Sequence, residues 1–209
     1  KYKFIKKNIK IKNKNILQSK CGLGILLDNF KESKITAGLD IPFYENKIKK
    51  KHIFFKNYDQ IIKKKIKFDL VTVLGEFEHK SNPILFFRKI KSVLKRAGKV
   101  VLRVPNLDNI YNFLLGDHFL KYDLRKSHNF YYNKKSLKIL FDKVGLDIIK
   151  IFGYQEYNLN HLLTYLIKKR RVNKSEIKNI MSENSLVESK KNIEKNLVST
   201  SFILILKKN

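Results

Sequence analysis

The chain of 209 residues is 43% hydrophobic and 12% aromatic, which is enough to bury the core of one domain and leaves little room for a second. It has no apolar run of the roughly 18 residues that a membrane span needs and no signal-peptide core near its start, so we expect a cytoplasmic protein without a membrane span. Its one cysteine, Cys21, excludes an internal disulfide and a cysteine-built zinc site, and its net charge of +28 comes mostly from lysines spread along the chain.

The first half of the chain alternates short β-branched runs with segments of helical period, a pattern typical of βαβ units and a parallel sheet. Apolar residues at positions 25, 26, 27 and 30 favour a helix over residues 24–33. The fourth apolar run is almost uninterrupted after Asp69, as expected of a strand buried on both faces. The pattern predicts strands at residues 15–19, 34–41, 52–57 and 67–75.

The second half begins with a strongly patterned helix at residues 82–98, with Pro83 near its start and Gly98 at its end. A polar helical insertion over about residues 158–196 separates the last two predicted strands. The other elements are a strand at residues 99–106, a helix at 133–146, and strands at 146–155 and 200–208. We therefore expect a single α/β domain spanning residues 1–209, with an open sheet of about seven strands.

Flexible or polar residues follow the first three predicted strands, where the ligands of open parallel sheets bind. Gly22 and Gly24 follow the first strand and permit a close approach of the backbone to a ligand. Asp40 ends the second strand, where a carboxylate can bind both hydroxyls of a ribose, although a helix cap is an alternative role. Asn57 follows the third strand and can hydrogen-bond an adenine amino group.

The most specific stretch is "FDLVTVLGEFEHKSNP" at residues 68–83, where a buried strand leads into a loop with two glutamates and a histidine. Without a gap, it resembles the segment "FDxIxxxEVLEHxxDP" of class I S-adenosylmethionine-dependent methyltransferases of the small-molecule type. The downstream stretches "FFRKIKSVLKRAGKVVLRVPN" and "HNFYYNKKSLKILFDKVGLDIIKI" resemble the segments that follow in this group. Upstream, "ILQSKCGLG" and "AGLD" stand where the group has its cofactor loop "VLDxGCGxG" and the "xGxD" end of its second strand.

The resemblance implies a Rossmann-like sheet of seven mostly parallel strands with an antiparallel last strand, helices on both faces, and S-adenosyl-L-methionine as cofactor. The glycines of the first loop would lie against the methionine part of the cofactor, and the loop after the fourth strand would flank it. The cofactor-binding residues carried over in this way are Gln18, Cys21, Gly22, Gly24, Asp40, Asn57, Gly75 and Glu76.

Three positions depart from the family pattern. Gln18 replaces an acid that meets the ammonium group of the cofactor, so a charge-assisted bond gives way to a neutral one of roughly half the strength. Lys20 replaces the first glycine and repels a cationic cofactor, unless its flexible stem carries the charge out to water. Gly75 replaces a glutamate that relatives acting on polyprenylated phenols use, together with counterparts of Glu78 and His79, around a metal ion. We therefore predict no metal.

Two histidines are the candidate catalytic residues. Methyl transfer depends largely on aligning the acceptor with the methyl group, and a hydroxyl acceptor benefits from a base that takes its proton. The alignment implies His79 as that base, with His128 as the second candidate. A structural role for His79, bonded to nearby backbone, and a packing role for His128 in the aromatic loop before residue 134 are the alternatives.

The expected function is S-adenosylmethionine-dependent methylation of a small molecule, with a sugar or glycan-precursor hydroxyl as the acceptor. A catalytically degenerate relative that serves as a binding or scaffold protein is the alternative, because of the three departures. An RNA methyltransferase, and nucleic acid as a partner, are disfavoured because lysine far outweighs arginine and rises together with Asn and Ile, as in an AT-rich genome. The cluster "KKRR" at residues 168–171 is interpreted as a solvated helix end and not as a nucleic-acid site. No "NPPY"-like tetrapeptide follows the fourth strand, which disfavours methyl transfer to the amino group of a base.

Overall fold

The computed structural model describes residues 1–122, 127–168 and 181–209. These residues form seven strands, β1 (Asn15–Ser19), β2 (Ile35–Leu39), β3 (Ile53–Phe55), β4 (Phe68–Leu74), β5 (Leu94–Pro105), β6 (Leu146–Tyr154) and β7 (Ser201–Lys208). They make one sheet in the order β3-β2-β1-β4-β5-β7-β6. The first five strands pair in parallel, and β7 pairs antiparallel with both β5 and β6. The predicted Rossmann-like sheet with an antiparallel last strand is confirmed.

Helices pack on both faces of this sheet, as predicted. They are α1 (Tyr2–Asn8), α2 (Glu45–Ile48), α3 (Tyr58–Lys63), α4 (Pro83–Val93), α5 (Ile110–Leu115), α6 (Asp117–Tyr122), α7 (Lys134–Val144), α8 (Leu159–Lys168) and α9 (Glu183–Lys195). None of the helices in the described part of the chain has the length and apolar character needed to cross a bilayer.

The core lies on both sides of the central strands, because successive side chains of a strand point to opposite faces. Leu17 and Val71 belong to the buried cluster that contains residues of α3, α4 and α7. Their neighbours Ile16 and Leu70 belong to the cluster that contains residues of α1 and α2. This double burial explains why the sequence of β4 is almost continuously apolar.

A third buried cluster lies apart from these two and joins α5, α6 and α8. Its members include Tyr111 and Phe119 from the segment after β5, and Leu162 and Tyr165 from α8. The segment between β5 and α7 therefore contains two short helices where no helix was predicted. Both short helices and α8 end up beside the candidate site described below.

Two predicted helices were wrong in extent. Over residues 24–33 only a 3-10 turn forms, at Leu27–Asn29, because Ile25 is 69% exposed and the apolar residues do not share one buried face. The helix predicted to end at Gly98 ends at Val93 instead. Beyond that point the chain enters β5, where Leu94 pairs with Phe68 of β4, so Gly98 lies in a strand.

The helices α1, α2 and α3 were also not predicted from the sequence. Of these, α3 has a capping pattern that the sequence could have indicated. Asn57 accepts a hydrogen bond from the Gln60 N–H at 3.0 Å, and the Gln60 side chain accepts one from the Lys56 N–H at 2.9 Å, which is a reciprocal cap of α3. Two helices, α8 and α9, lie in the predicted insertion after β6. Residues 169–180 lie outside the described residues, and so does most of the "KKRR" cluster.

Candidate active site

The carboxyl ends of β1 and β2 bring the predicted cofactor loop and Asp40 together. Asp40 accepts two backbone hydrogen bonds, from the Gly22 N–H to Oδ2 at 2.7 Å and from the Ile41 N–H to Oδ1 at 2.8 Å. The Cys21 N–H donates to the carbonyl of Leu39 at 3.2 Å. Asp40 therefore holds the loop against the end of β2. Each of its oxygens can accept a further hydrogen bond, such as one from a ribose hydroxyl.

The loop turns through three residues in the left-handed region, with φ of +52° at Lys20, +54° at Gly22 and +78° at Gly24. Glycine adopts this conformation freely, whereas it costs a lysine about 1–2 kcal/mol. A Cβ added at Gly22 would meet no atom within 4 Å, so open space lies beside this part of the backbone. Lys20 is exposed, so solvent screens the repulsion that its ammonium group was expected to exert on a cationic cofactor.

Gln18 lies at the end of β1 with a buried side chain that is 9% exposed. Its Oε1 has no hydrogen-bond partner among the described residues. A buried acceptor without a donor costs about 1–3 kcal/mol, which a ligand donor such as an ammonium group would recover. This orphaned oxygen and the open space at Gly22 fit the predicted cofactor.

Cys21 faces the core and not a ligand. Its side chain is 6% exposed and packs on β2, with Sγ 2.5 Å from the position that a Cβ on Gly38 would take. Burial, and secondarily the charge of Asp40, raise the pKa of the Cys21 thiol to about 12. A contact of Cys21 with the cofactor would therefore involve its backbone.

Two other predicted cofactor residues have structural partners. The side-chain oxygen of Asn57, which the sequence assigned to adenine, caps α3 through the Gln60 N–H. Glu76 is buried and its Oε1 pairs with Lys80 Nζ at 2.6 Å, while its Oε2 has no hydrogen-bond partner among the described residues. Gly75, with φ of +80°, turns the chain out of β4 towards Glu76.

A cavity of about 350 Å³ opens at the ends of β4 and β5. Because Ser19 of β1 pairs with Val73 of β4, the loop that begins at Gly75 lies beside the cofactor loop. The wall of the cavity combines polar groups with aromatic rings. Its lining includes Gly75, Glu78, His79, Arg103, Asn106, Tyr111, His128, Tyr131, Glu156, Tyr157, His161 and Ser201.

Both candidate catalytic histidines lie in this wall, because the loop after β4 is tied to the loop before α7. The Asn129 N–H donates to the Glu78 carbonyl at 2.8 Å, and the Asn129 side-chain amide donates to the His79 carbonyl at 2.9 Å. His79 Nδ1 lies 2.6 Å from the carbonyl oxygen of Ser127. The ring centroids of His79 and His128 are 4.9 Å apart in an edge-on arrangement.

The contact with Ser127 fixes the tautomer of His79. A carbonyl oxygen can only accept, so Nδ1 of the neutral ring carries the proton and Nε2 keeps its lone pair. His79 is thus bonded to backbone, as its structural role requires, and it still offers a basic nitrogen. Glu78 stands beside both histidines, and one ligand-capable atom from each of the three side chains lies within 4.8 Å of the others.

A family model described as a methyltransferase domain matches residues 3–151 of the chain. The protein belongs to this methyltransferase family. S-adenosylmethionine is accordingly its cofactor, as the sequence predicted. A search of curated proteins finds no match.

Solved structures with the same fold cover nearly the whole methyltransferase. An S-adenosylmethionine-dependent methyltransferase from Archaeoglobus fulgidus superposes with a TM-score of 0.62 at 20% identity, over 99% of this chain and 92% of that one. A complex of the Haloferax volcanii Trm112 activator with a methyltransferase gives 0.63 at 12% identity, over 98% and 87%. Magnesium protoporphyrin IX methyltransferase from Synechocystis with bound SAH gives 0.60 at 11% identity, over 100% and 80%. At these identities the likeness shows the fold.

The structure of the methyltransferase adds site residues that the sequence did not single out. Arg103 of β5 and Glu156 form an ion pair at 3.1 Å in the cavity wall. The Tyr111 hydroxyl lies 2.9 Å from His161 Nδ1, and the ring of Tyr157 stacks on His161 with centroids 4.0 Å apart. Amphipathic period reveals a helix but not which cavity its side chains reach, so no local pattern indicated these residues.

Proposed function

We propose that this methyltransferase methylates a hydroxyl group of a small polyhydroxylated molecule, such as a sugar or a glycan precursor, bound in the cavity beside Gly75. The observation that carries the proposal is the composition of the cavity wall. Its volume of about 350 Å³ is at the lower end of the range of about 300–1,000 Å³ typical of small-molecule sites. A sugar presents hydroxyls at its edges and an apolar ring face, and the wall offers partners for both.

The polar partners lie at the ends of β5 and β7. The Arg103–Glu156 pair supplies donors and acceptors, and Arg103 also lies over the ring of Tyr154 at 4.9 Å. Thr200 and Ser201 line the same side of the cavity. Side chains with both donors and acceptors suit neighbouring hydroxyl groups, which also both donate and accept.

The aromatic partners come from α5 and from the segment that contains α8. Tyr157 and His161 stack with an interplanar angle of 10°, and the Tyr111 hydroxyl holds His161 from the other side. His161 is 6% exposed and bonded to the Tyr111 hydroxyl, which restricts the orientation of its ring. An aromatic surface restricted in this way can pack against the apolar face of a sugar ring with little loss of side-chain entropy.

The cofactor residues are assigned from the geometry of the loops. Gln18, Gly22 and Gly24 would hold the methionine part, with the orphaned Oε1 of Gln18 accepting from the ammonium group. Asp40 would bind the ribose. The remaining assignments are the backbone of Cys21 in the same loop, Gly75 and Glu76 beside the reacting end, and Asn57 near the adenine.

A histidine accepts the proton that the acceptor hydroxyl loses. S-adenosylmethionine supplies an electrophilic methyl group, and the acceptor hydroxyl must lose a proton as its oxygen gains that group. His79 Nε2 takes the proton, because Nδ1 already carries one and the Ser127 carbonyl stabilises the resulting imidazolium. His128, with its ring 4.9 Å away, is the second candidate base.

The test uses two measurements on the same protein. Calorimetry measures S-adenosylmethionine binding, and formation of S-adenosylhomocysteine measures transfer to a panel of sugars and nucleotide sugars. We expect His79→Asn to bind the cofactor like the wild type and to lose about 10²–10⁴-fold in kcat. The matched control is His118→Asn, an exposed histidine outside the cavity lining, and it should keep full activity. Full activity of His79→Asn would overturn the assignment of the base.

A binding or scaffold protein is the second candidate function, favoured by the neutral Gln18 at the ammonium position. Cofactor binding without transfer to any hydroxyl acceptor would support it. No binding at millimolar S-adenosylmethionine would exclude methyl transfer altogether. RNA as the acceptor requires an affinity that falls steeply with salt, so salt-independent RNA binding would count against it.

A further inference from the structure

We propose that Glu78, His79 and His128 form a binding site for a divalent transition-metal ion, of which Zn²⁺ is the best match, in the wall of the acceptor cavity. One potential ligand atom of each residue lies within 4.8 Å of the other two. All three residues line the cavity. The sequence signature by itself predicts a metal-free site because Gly75 replaces a ligand, but the fold supplies a third ligand from a distant loop.

Glu78 gives an independent indication of a cation. Its side chain is 6% exposed, and Oε2 has no hydrogen-bond partner among the described residues. A buried carboxylate without a donor or a positive partner is strongly unfavourable. The neighbouring Tyr132 is a phenol, which is neutral or anionic and therefore cannot supply a positive charge. A metal ion would supply it.

Gly75 leaves room for the ion. A Cβ at this position would meet only Glu78 Oε1, at 3.9 Å, so the space beside this carboxylate oxygen is open on the Gly75 side. The glycine that removes one ligand from the signature thus opens the side of Glu78 that faces the cavity. An ion held here would therefore be reached directly by an acceptor in the cavity.

His79 already has the hydrogen bond that is typical of metal-bound histidine. Ligating imidazoles almost always donate their other N–H to a carboxylate, carbonyl or water, which orients the ring. In His79 the Nδ1–H donates to the Ser127 carbonyl at 2.6 Å, so Nε2 is the free ligand atom. Asn129 fixes the next residues of that loop through bonds at 2.8 and 2.9 Å, and this places His128 against His79.

The donor set selects the class of ion. Two imidazoles and one carboxylate suit zinc and its first-row neighbours, whereas magnesium and calcium prefer oxygen ligands. Catalytic zinc sites use three protein ligands and keep the fourth position for water or substrate. Ligands at about 2.0–2.1 Å from a tetrahedral ion are about 3.4 Å apart. The separations of up to 4.8 Å therefore close through movements of about 1 Å.

The inference rests on the proposed function only for the role of the ion. An ion in this position lowers the pKa of a bound hydroxyl, as metal ions do for water. With the ion bound, His79 Nε2 and His128 would serve as ligands, so the general-base role proposed above belongs to the metal-free protein, and the proton of the acidified hydroxyl would pass to solvent water. Metal binding itself does not depend on the identity of the acceptor.

The experiment titrates the chelator-stripped protein with Co²⁺, followed by its visible absorption, and with Zn²⁺, followed by calorimetry. We expect one ion per chain, and at least tenfold weaker binding in His128→Asn and in Glu78→Gln. Asn129→Ala, which removes the bond from the loop of His128 to the His79 carbonyl, should weaken binding less than either ligand change. The matched controls are His118→Asn and Glu188→Gln, both exposed, which should bind like the wild type.

Unchanged binding in His128→Asn, or no binding by the wild type at millimolar ion, would overturn the inference. Melting temperatures of the metal-free variants separate a lost ligand from a lost fold, and the less buried His128 keeps the test valid if Glu78→Gln does not fold. The methyl-transfer assay separates the two proposals. Methyl transfer without metal binding would refute the ion site and leave the proposed function standing. Metal binding without methyl transfer would refute the proposed function and leave the ion site standing.

Discussion

The role of Asp40 can be measured directly. Its carboxylate accepts hydrogen bonds from the N–H groups of Gly22 at 2.7 Å and Ile41 at 2.8 Å, which joins the cofactor loop to the end of β2. Asp40 is only 9% exposed. Asp40→Ala removes both acceptors at once. It leaves the Gly22 N–H without its partner and frees a loop in which Lys20 has an unfavourable positive φ.

The expected magnitude follows from these two bonds. A hydrogen bond to a charged group contributes about 1.5–3 kcal/mol, so even the lower value predicts a loss of about 3 kcal/mol in the free energy of unfolding. For a chain of this length each kcal/mol corresponds to about 2–4 °C, so Asp40→Ala should melt about 6–12 °C below the wild type. Asp40→Asn keeps one acceptor oxygen and should lose about half as much.

Circular dichroism melts and urea unfolding measure the stability, and calorimetry measures S-adenosylmethionine affinity. We expect both variants to bind the cofactor at least tenfold more weakly. Asp142→Ala, which removes an exposed acid paired with Lys138 on α7, is the control and should change the free energy by less than about 1 kcal/mol. If Asp40→Ala melted within about 2 °C of the wild type, Asp40 would not hold the loop, whatever its effect on the cofactor.

Three further changes test the loop and the sheet. Lys20→Gly relieves the φ of +52° and should raise the free energy of unfolding by up to about 1 kcal/mol while strengthening cofactor binding, and a fall in both would contradict this. Gly38→Ala places a Cβ 2.5 Å from Cys21 Sγ and should lower the free energy of unfolding in urea by about 1–3 kcal/mol. Adding Cys21→Ala should recover part of this loss, and free-energy changes of the two substitutions that simply add would disprove the contact. Burial acts to raise the pKa of Asp69, but Lys95 at 2.7 Å and the backbone N–H of residue 15 outweigh it and hold the pKa below its usual value. The charged Asp69 carboxylate therefore stabilises the fold above about pH 4, and this stabilisation disappears as the pH falls through the lower pKa of the folded state. Asp69→Asn should be less stable than the wild type at pH 7, and the two stabilities should converge near pH 2.

Sequence periodicity located every strand of the sheet, because each strand had to supply apolar residues to one or both faces. It failed where an apolar residue was not buried, as at Ile25, and where the chain left a helix for tertiary reasons, as at Leu94, which pairs with Phe68. A glycine was not a dependable sign of a helix end: Gly98 lies inside β5, whereas Gly145 ends α7 in the left-handed conformation.

The candidate site divides in the same way. The spacing of the motifs placed the cofactor loop, Asp40 and His79 at neighbouring strand ends, because the carboxyl ends of parallel strands share one edge of the sheet. The motifs did not indicate that Cys21 would face the core or that the oxygen of Asn57 would be used in a cap. Those outcomes depend on side-chain directions and on competing local partners.

The sequence by itself determined the architecture and the family, because burial period and motif order are properties of short segments and survive extensive substitution. Only the tertiary structure decided what lies around the reacting position. It brought His128 against His79 through hydrogen bonds between distant loops, and it placed Tyr157 and His161 in the cavity wall. Contacts between segments far apart in the chain depend on how the helices pack beyond the sheet, and no local pattern of residues specifies that packing.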